Sequence, residues 1–306
     1  MAKNKDKFDE SVSDGSRAIN KFRISDLVMV VILLLLAATC ILPFLHLASK
    51  SISDNAFVLA KKVYLLPKGF NLDAYVSIFK DGGMVYSMGY SILVTVIFTL
   101  MGMVCCIFAA YPLSKKRLKG RTLFTFLLMF PMYFGAGLIP SYLLMKDLNL
   151  LNTMWVLILP LIYSPYNMLI MKTYFQANIP DSLEESAFLD GASNFQILQK
   201  IVLPLSKPIL ATLSLFYAVG RWNQYADNKF YIKTETLKLI QYKLYQMVAS
   251  ATEAQSTTLS EAAAVTSTPE VLQAAAIMFV TIPIICIYPF LQKYFVKGVM
   301  VGAVKG

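Results

Sequence analysis

Six stretches of this chain approach or exceed the apolar length that a helix needs to cross a lipid bilayer, and this constrains the fold more than any motif does. A helix spans the hydrocarbon core with about 20 mainly apolar residues, because every backbone N–H and C=O must be satisfied within the segment. The stretches run from Leu27 to Leu47, Met88 to Ala110, Thr122 to Met145, Thr153 to Met171, Pro208 to Tyr225 and Ala274 to Leu291. Of 306 residues, 57% are hydrophobic and only 15% charged, with a mean hydropathy of +0.59. A soluble domain of this length rarely carries so little charge. An all-α integral membrane protein with six transmembrane helices is therefore expected. The first stretch does not read as a cleaved signal, since its apolar core exceeds the usual length of about 7–15 residues and no small-x-small site follows.

Lysine and arginine set the expected orientation. The link Ser114 to Arg121 carries five basic residues and no acid, which places it in the cytoplasm. Six crossings then leave both termini cytoplasmic, together with the polar stretch 181–205. The tail over 1–26 agrees, through Lys3, Lys5, Lys7, Arg17, Lys21 and Arg23; it has little to bury and is expected to be mobile. The first outer loop fits less well, with Lys50, Lys61, Lys62, Lys68 and Lys80, but it is long and also holds Asp54, Asp73 and Asp81. The net charge of +10 reads as membrane orientation and not as nucleic-acid binding, because the densest basic runs flank apolar segments. The organisation expected is a basic tail over 1–26, a transmembrane domain over 27–295 and a cytoplasmic C-terminal tail over 296–306. An outer segment covers 226–271. Its first part has helical spacing of Leu237, Ile240, Leu244 and Val248, and its second, from Ala249 to Pro269, reads as irregular or weakly helical.

Several kinds of chemistry have no residues to carry them. Cys40, Cys105, Cys106 and Cys286 lie inside apolar runs without metal or disulfide spacing, and the single histidine, His46, ends the first run. No metal or cofactor is expected on this chain. None of the six stretches has an Asp or Glu in its interior, which disfavours proton coupling. No G-x-x-x-x-G-K-[ST] run is present to cradle ATP phosphates. A membrane pathway with neither engine is passive or borrows one. Breaks at Pro131, Gly135, Gly137, Pro140, Pro160, Pro165, Pro283 and Pro289 read either as ordinary kinks or as the irregular wall of a path.

The stretch Leu183 to Pro204 is a polar, helix-forming island. Ser182 and Glu185 have the spacing of a capping box just after Pro180, and Glu184 and Glu185 place negative charge in the first turn. Asp190-Gly191 breaks that helix, and Ser193 with Gln196 opens another. Phe195, Leu198 and Val202, with Ile201 beside them, form one apolar face. Two short helices with an apolar ridge and an acidic end suit docking in a cleft on another protein. An amphipathic helix lying on lipid headgroups is the alternative.

The same residues resemble the cytoplasmic coupling loop of ABC importer permeases, the inner-membrane components of binding-protein-dependent transport. Glu185, Ala187, Asp190, Gly191, Ala192, Ile201, Leu203 and Pro204 match the family pattern, and Ser186 stands where an alanine is usual. The C-terminal run Gln292 to Gly306 is similar to the carbohydrate branch, which includes the inner maltose permease, with Gly302, Val304, Lys305 and Gly306 matching a tail that reaches the ATPase. A basic tail on anionic lipid is the alternative for that run. Leu215 to Ile232 is also similar to that branch through Trp222 and Asn223, read either as part of a substrate path or as an interfacial belt.

The resemblance implies a type I ABC importer permease fold in the bacterial plasma membrane and a sugar, most naturally an oligosaccharide, as cargo. It also implies a second permease subunit, ATP-binding subunits that consume the ATP and an extracytoplasmic solute-binding protein. Glu184, Glu185, Ser186, Ala187, Asp190, Gly191 and Ala192 would then form the ATPase contact with Ile201, Leu203 and Pro204. No residue is assigned covalent chemistry. A permease for a non-sugar solute, a gradient-driven transporter and a membrane scaffold are the rival readings.

Overall fold

The computed structural model describes the backbone of residues 24–257 and 268–303, and the side chains of 26–250, 268–287 and 289. Among these residues the chain is helical between connecting loops and turns, and the one β-bridge joins Ser53 and Phe70. The N-terminal tail expected over 1–26 lies almost wholly outside them.

Helix α1, Ile24–Ser51, precedes two short helices, α2 (Asn55–Leu59) and α3 (Asp73–Asp81). Helix α4 covers Gly83–Ser114. Helices α5 (Arg121–Tyr133) and α6 (Leu138–Asp147) follow, then two 3₁₀ turns, Met154–Leu157 and Leu159–Leu161, and α7 (Pro165–Asn178). The loop region holds α8 (Asp181–Leu189), α9 (Asn194–Ile197), a π turn over Leu198–Val202 and α10 (Leu203–Leu205). The remainder is α11 (Lys207–Asn223), α12 (Ala226–Tyr231), α13 (Ile240–Thr257) and α14 (Pro269–Ala303).

Three helices are long and apolar enough to cross a membrane unbroken: Asp26–Ser51, Gly83–Ser114 and Pro269–Ile287. Of the other three expected spans, two are bent pairs and the third is a single shorter helix bent against the segment before it. The stretch Thr122 to Met145 is not one helix, because α5 and α6 meet at 111° across Phe134 to Gly137. Pro131 removes one backbone donor there, and Gly137 takes a positive φ of 85°. The stretch Thr153 to Met171 is two 3₁₀ turns followed by α7, bent by 50°, with Pro165 at the start of α7 and Ser164 as its cap. The fifth stretch is α11, which meets the preceding Asn194–Leu205 segment at 84°. In the outer segment α13 is helical to Thr257, within the part expected to be irregular or weakly helical, and residues 258–267 of that part lie outside the described ones.

The apolar side chains of α1 from Leu27 to Leu36 are all exposed. In water this would be a large liability, whereas against lipid tails it costs nothing. The main core lies where α4, α7 and α11 pack, around Val94, Phe98, Met168, Met171, Phe175 and Leu213. Gly102 lets two of these helices approach closely, since a Cβ there would sit 2.7 Å from the Tyr217 ring and 3.2 Å from the Ile162 carbonyl oxygen. A second core joins α2, α3, α13 and α14 through Val58, Ile78, Ile240, Ala275 and Val280.

Polar contacts sort the connections into two groups. Lys115 pairs with Glu184, Arg117 Nη2 donates to Asn194 Oδ1 at 2.6 Å, and Gln176 Nε2 donates to the Ser114 carbonyl at 3.2 Å. Elsewhere Lys50 pairs with Glu270 at 2.7 Å, Lys243 Nζ donates to the Gly83 carbonyl, and Thr268 N–H donates to Asn55. Asn152 Oδ1 accepts from the N–H groups of Lys233 and Thr234 in the same way.

Candidate functional site

The polar island folds as a knob built from backbone rules. Pro180, extended at φ −61° and ψ 136°, occupies the N-cap position of α8 without a side-chain cap. The Ser182–Glu185 box is therefore not formed; the helix starts two residues earlier, at Asp181, and Ser182 instead offers its carbonyl to the Ser186 hydroxyl at 3.0 Å. Asp181 and Glu184 place negative charge in the first turn.

Helix α8 ends in a Schellman motif. Gly191 N–H donates to the Phe188 carbonyl and Ala192 N–H to that of Ala187, with Gly191 at φ 80°. A Cβ at Gly191 would meet nothing within 4 Å, so the turn projects into open space. The second box is present in full: Ser193 N–H donates to Gln196 Oε1 at 2.8 Å, and Gln196 N–H donates to Ser193 Oγ at 3.3 Å.

Beyond α9 the ladder widens, with Leu203 N–H donating to the Leu198 carbonyl across the π turn. Pro204 has no N–H and its ring crowds the preceding turn, so an extra residue in that turn relieves the clash. Ile197, Leu198 and Val202 are buried, whereas Phe195, expected on the same apolar face, is 60% exposed.

The expected contact residues divide into an inner and an outer set. Glu184 is only 4% exposed and pairs with Lys115, and Ala187 is buried in the main core. Ala192, Ile201 and Leu203 are half-buried, whereas Glu185, Ser186, Asp190, Gly191 and Pro204 are exposed. Sequence reasoning missed Leu189, which is 89% exposed at the tip, and Lys115 as the partner of Glu184. An apolar residue directly before Asp-Gly was the available signal for Leu189. Arg117 braces the knob from the basic link, its guanidinium 4.3 Å from the Phe188 ring centroid. A groove of about 450 Å³ opens beside it, between Phe108 and Leu118 on one side and Phe195 and Leu198 on the other.

A second concavity, of about 220 Å³, lies between α4, α7 and α11. Its polar lining is Ser164, Asn167, Tyr217, Arg221 and Gln224, with Phe98 and Phe216 as aromatic walls. Arg221 is buried; its Nη1 donates to the Leu157 carbonyl at 2.8 Å and to Asp227 Oδ2 at 2.5 Å. Trp222 turns away, packing in the second core, and Asn223 is exposed. Neither lines this cavity. Gly302 falls in the backbone of α14, and Val304, Lys305 and Gly306 lie outside the described residues.

A helical bundle with unbroken and bent spans, carrying a braced knob on one end, is the form of a multi-pass membrane component with a docking partner. The chain belongs to the family of binding-protein-dependent transport system inner membrane components, whose model matches residues 102–301. Membership makes it a permease of an ABC importer in the plasma membrane, working with a solute-binding protein and an ATPase. It is 42% identical to the polygalacturonan/rhamnogalacturonan transport system permease YtcP of Bacillus subtilis, over 94% of this chain and 100% of that one. It is 30% identical to the galactooligosaccharides transport system permease GanQ of the same organism, over 90% and 94%. A chain in the crystal structure of a bacterial ABC transporter involved in importing the acidic polysaccharide alginate superposes with a TM-score of 0.81. That chain is 33% identical, and the match covers 90% of this chain and 99% of it.

Proposed function

We propose that this permease carries fragments of a sugar polymer across the membrane, paired with a second permease subunit, and that its 181–205 knob seats the ATPase. The observation that carries the coupling role is the turn at Gly191. It is held by backbone bonds, yet a Cβ there would meet nothing within 4 Å among the described residues, and Leu189 and Phe195, two and four positions away in the chain, are exposed. A surface with exposed apolar tips and nothing against it among the described residues suits a cleft in a partner. The sugar cargo is supported by the relatives, whose names specify polygalacturonan, galactooligosaccharides and alginate.

Six crossings with both termini cytoplasmic fit the two groups of connections. The basic link and the knob are joined by Lys115 and Glu184, while the loops near Lys50, Gly83 and Glu270 meet elsewhere. The bent pairs α5–α6 and Met154–Leu161 with α7 then each act as one crossing, and α11 by itself makes the fifth. The partner ATPase consumes the ATP, and this chain supplies the surface that follows its opening and closing. The C-terminal residues Gly302, Val304, Lys305 and Gly306 add a second contact to it.

The test is Gly191→Val beside Glu185→Lys in the full transporter. The valine is strained at positive φ by about 1–3 kcal/mol, and it also enlarges the tip. Both variants should insert at normal abundance but lose the ATPase on co-purification and lose uptake. Wild-type retention and transport in both would end the coupling reading.

A further inference from the structure

The cavity between α4, α7 and α11 carries a charge pattern that a neutral cargo does not require. Among the described residues no carboxylate lines it, and Asp227, the partner of Arg221, is not in its lining. Arg221 is 2% exposed and engages Asp227 and Leu157 through Nη1 alone. Its Nη2 reaches only the Gln224 carbonyl, at 3.5 Å, and its Nε–H has no hydrogen-bond partner among the described residues. The Nε–Nη2 edge of a guanidinium is a planar two-donor fork matched to a carboxylate. A buried fork left half-satisfied is costly unless something takes it.

A helix N-terminus faces the same space, opposite the C-terminal end of α11 at Arg221 and Gln224. Helix α7 is 14 residues long and begins at the cavity, with its cap Ser164 and its third residue Asn167 both in the lining. The break before it brings its N-terminal end, the positive pole of its dipole, against the cavity. Broken membrane helices present this end to anionic groups of a substrate. Asn167, Tyr217 and Gln224 add amide and hydroxyl groups that suit sugar hydroxyls, and Phe98 offers a ring face.

We propose that this cavity is a subsite for an acidic sugar, in which the Nε–Nη2 edge of Arg221 and the α7 N-terminus receive a uronate carboxylate. The proposal rests on the sugar-importer reading and narrows it from oligosaccharides to those bearing carboxylates. It also moves the path-lining face of α11 from Trp222 and Asn223 to Tyr217, Arg221 and Gln224.

The experiment uses the full transporter, with its binding protein, in vesicles. A galacturonate trisaccharide is compared with a neutral galactose trisaccharide, in wild type, Gln224→Glu, Gln224→Met and Arg221→Gln. Gln224→Glu places an anion beside the fork and should cut uptake of the acidic sugar at least tenfold. Gln224→Met, of similar size but uncharged, should cost less than threefold. This pair carries the test even if Arg221→Gln fails to assemble; if it assembles, it too should lose the acidic sugar at least tenfold. Where the neutral sugar is carried, Gln224→Glu should leave it within threefold of wild type. Equal losses for Glu and Met at position 224, or no loss for Glu, overturn the subsite while leaving sugar import intact. If the wild type carries neither sugar, the sugar reading fails, and the subsite with it.

Discussion

The ammonium of Lys115 and the carboxylate of Glu184 form a buried ion pair between residues 69 positions apart in the chain. One belongs to the basic link and the other to the first turn of the knob helix, so the pair fixes the knob to the end of α4. Removing one partner leaves an unpaired buried charge, which typically costs about 3–5 kcal/mol. Lys115→Met and Glu184→Gln should each lower the melting temperature of the purified transporter. The double variant Lys115→Met/Glu184→Met should recover much of that loss, because no orphan charge remains. A double variant as unstable as the worse single one would show that the pair is not what holds the knob.

At Gly102 the prediction concerns packing. Gly102→Leu drives a side chain into the Tyr217 ring and the Ile162 carbonyl, and overpacking of this kind costs about 1–3 kcal/mol. Transporter yield and melting temperature should both fall. Gly220→Leu, on a helical position where a Cβ meets nothing within 4 Å, should leave both unchanged. Equal stability of the two variants would contradict the packing described for α4 and α11.

Topology is checked by thiol labelling after Cys40, Cys105, Cys106 and Cys286 are replaced. A cysteine at Lys119 or Leu189 should be shielded from impermeant reagents in intact cells and should react in inverted vesicles. One at Asn71 should show the reverse. Labelling of Leu189 from outside would place the knob on the wrong face for any ATPase.

Deletion of Gly302 to Gly306 should leave insertion and pairing with the second permease intact, because no span is touched. ATPase activity stimulated by the binding protein should drop. Unchanged stimulation and uptake would make this run dispensable for coupling.

Much of the fold was legible because lipid imposes a strict length and polarity rule. All six stretches contain helix, and the first, second and sixth emerged as single long helices, the sixth running on through Pro283 and Pro289. Local chemistry was legible too: the Ser193–Gln196 box and the turn at Gly191 follow from residues a few positions apart. Leu198 and Val202 are buried as the periodicity expects, whereas Phe195, in the first turn of α9, is exposed because no other element packs over that end of the helix among the described residues. Glu184 looked like a free acidic end because nothing near it in sequence names Lys115 as its partner. The cavity around Arg221 was hidden for the same reason, since it needs α4, α7 and α11 together. The Trp222–Asn223 pair drew notice by residue type, while the neighbouring arginine holds the position inside the bundle.

The 84° elbow before α11 has a mechanical consequence. From Lys207 to Asn223 the helix is unbroken, and Ser206 at its start is fully buried. Roughly 15 residues at 1.5 Å each separate that elbow from Arg221, an arm of about 22 Å. A swing of about 10° at the elbow therefore carries the far end sideways by about 4 Å, on the order of a side-chain width. The knob and the cavity sit at opposite ends of one stiff rod, so a small rotation imposed at the first becomes a change of bore at the second.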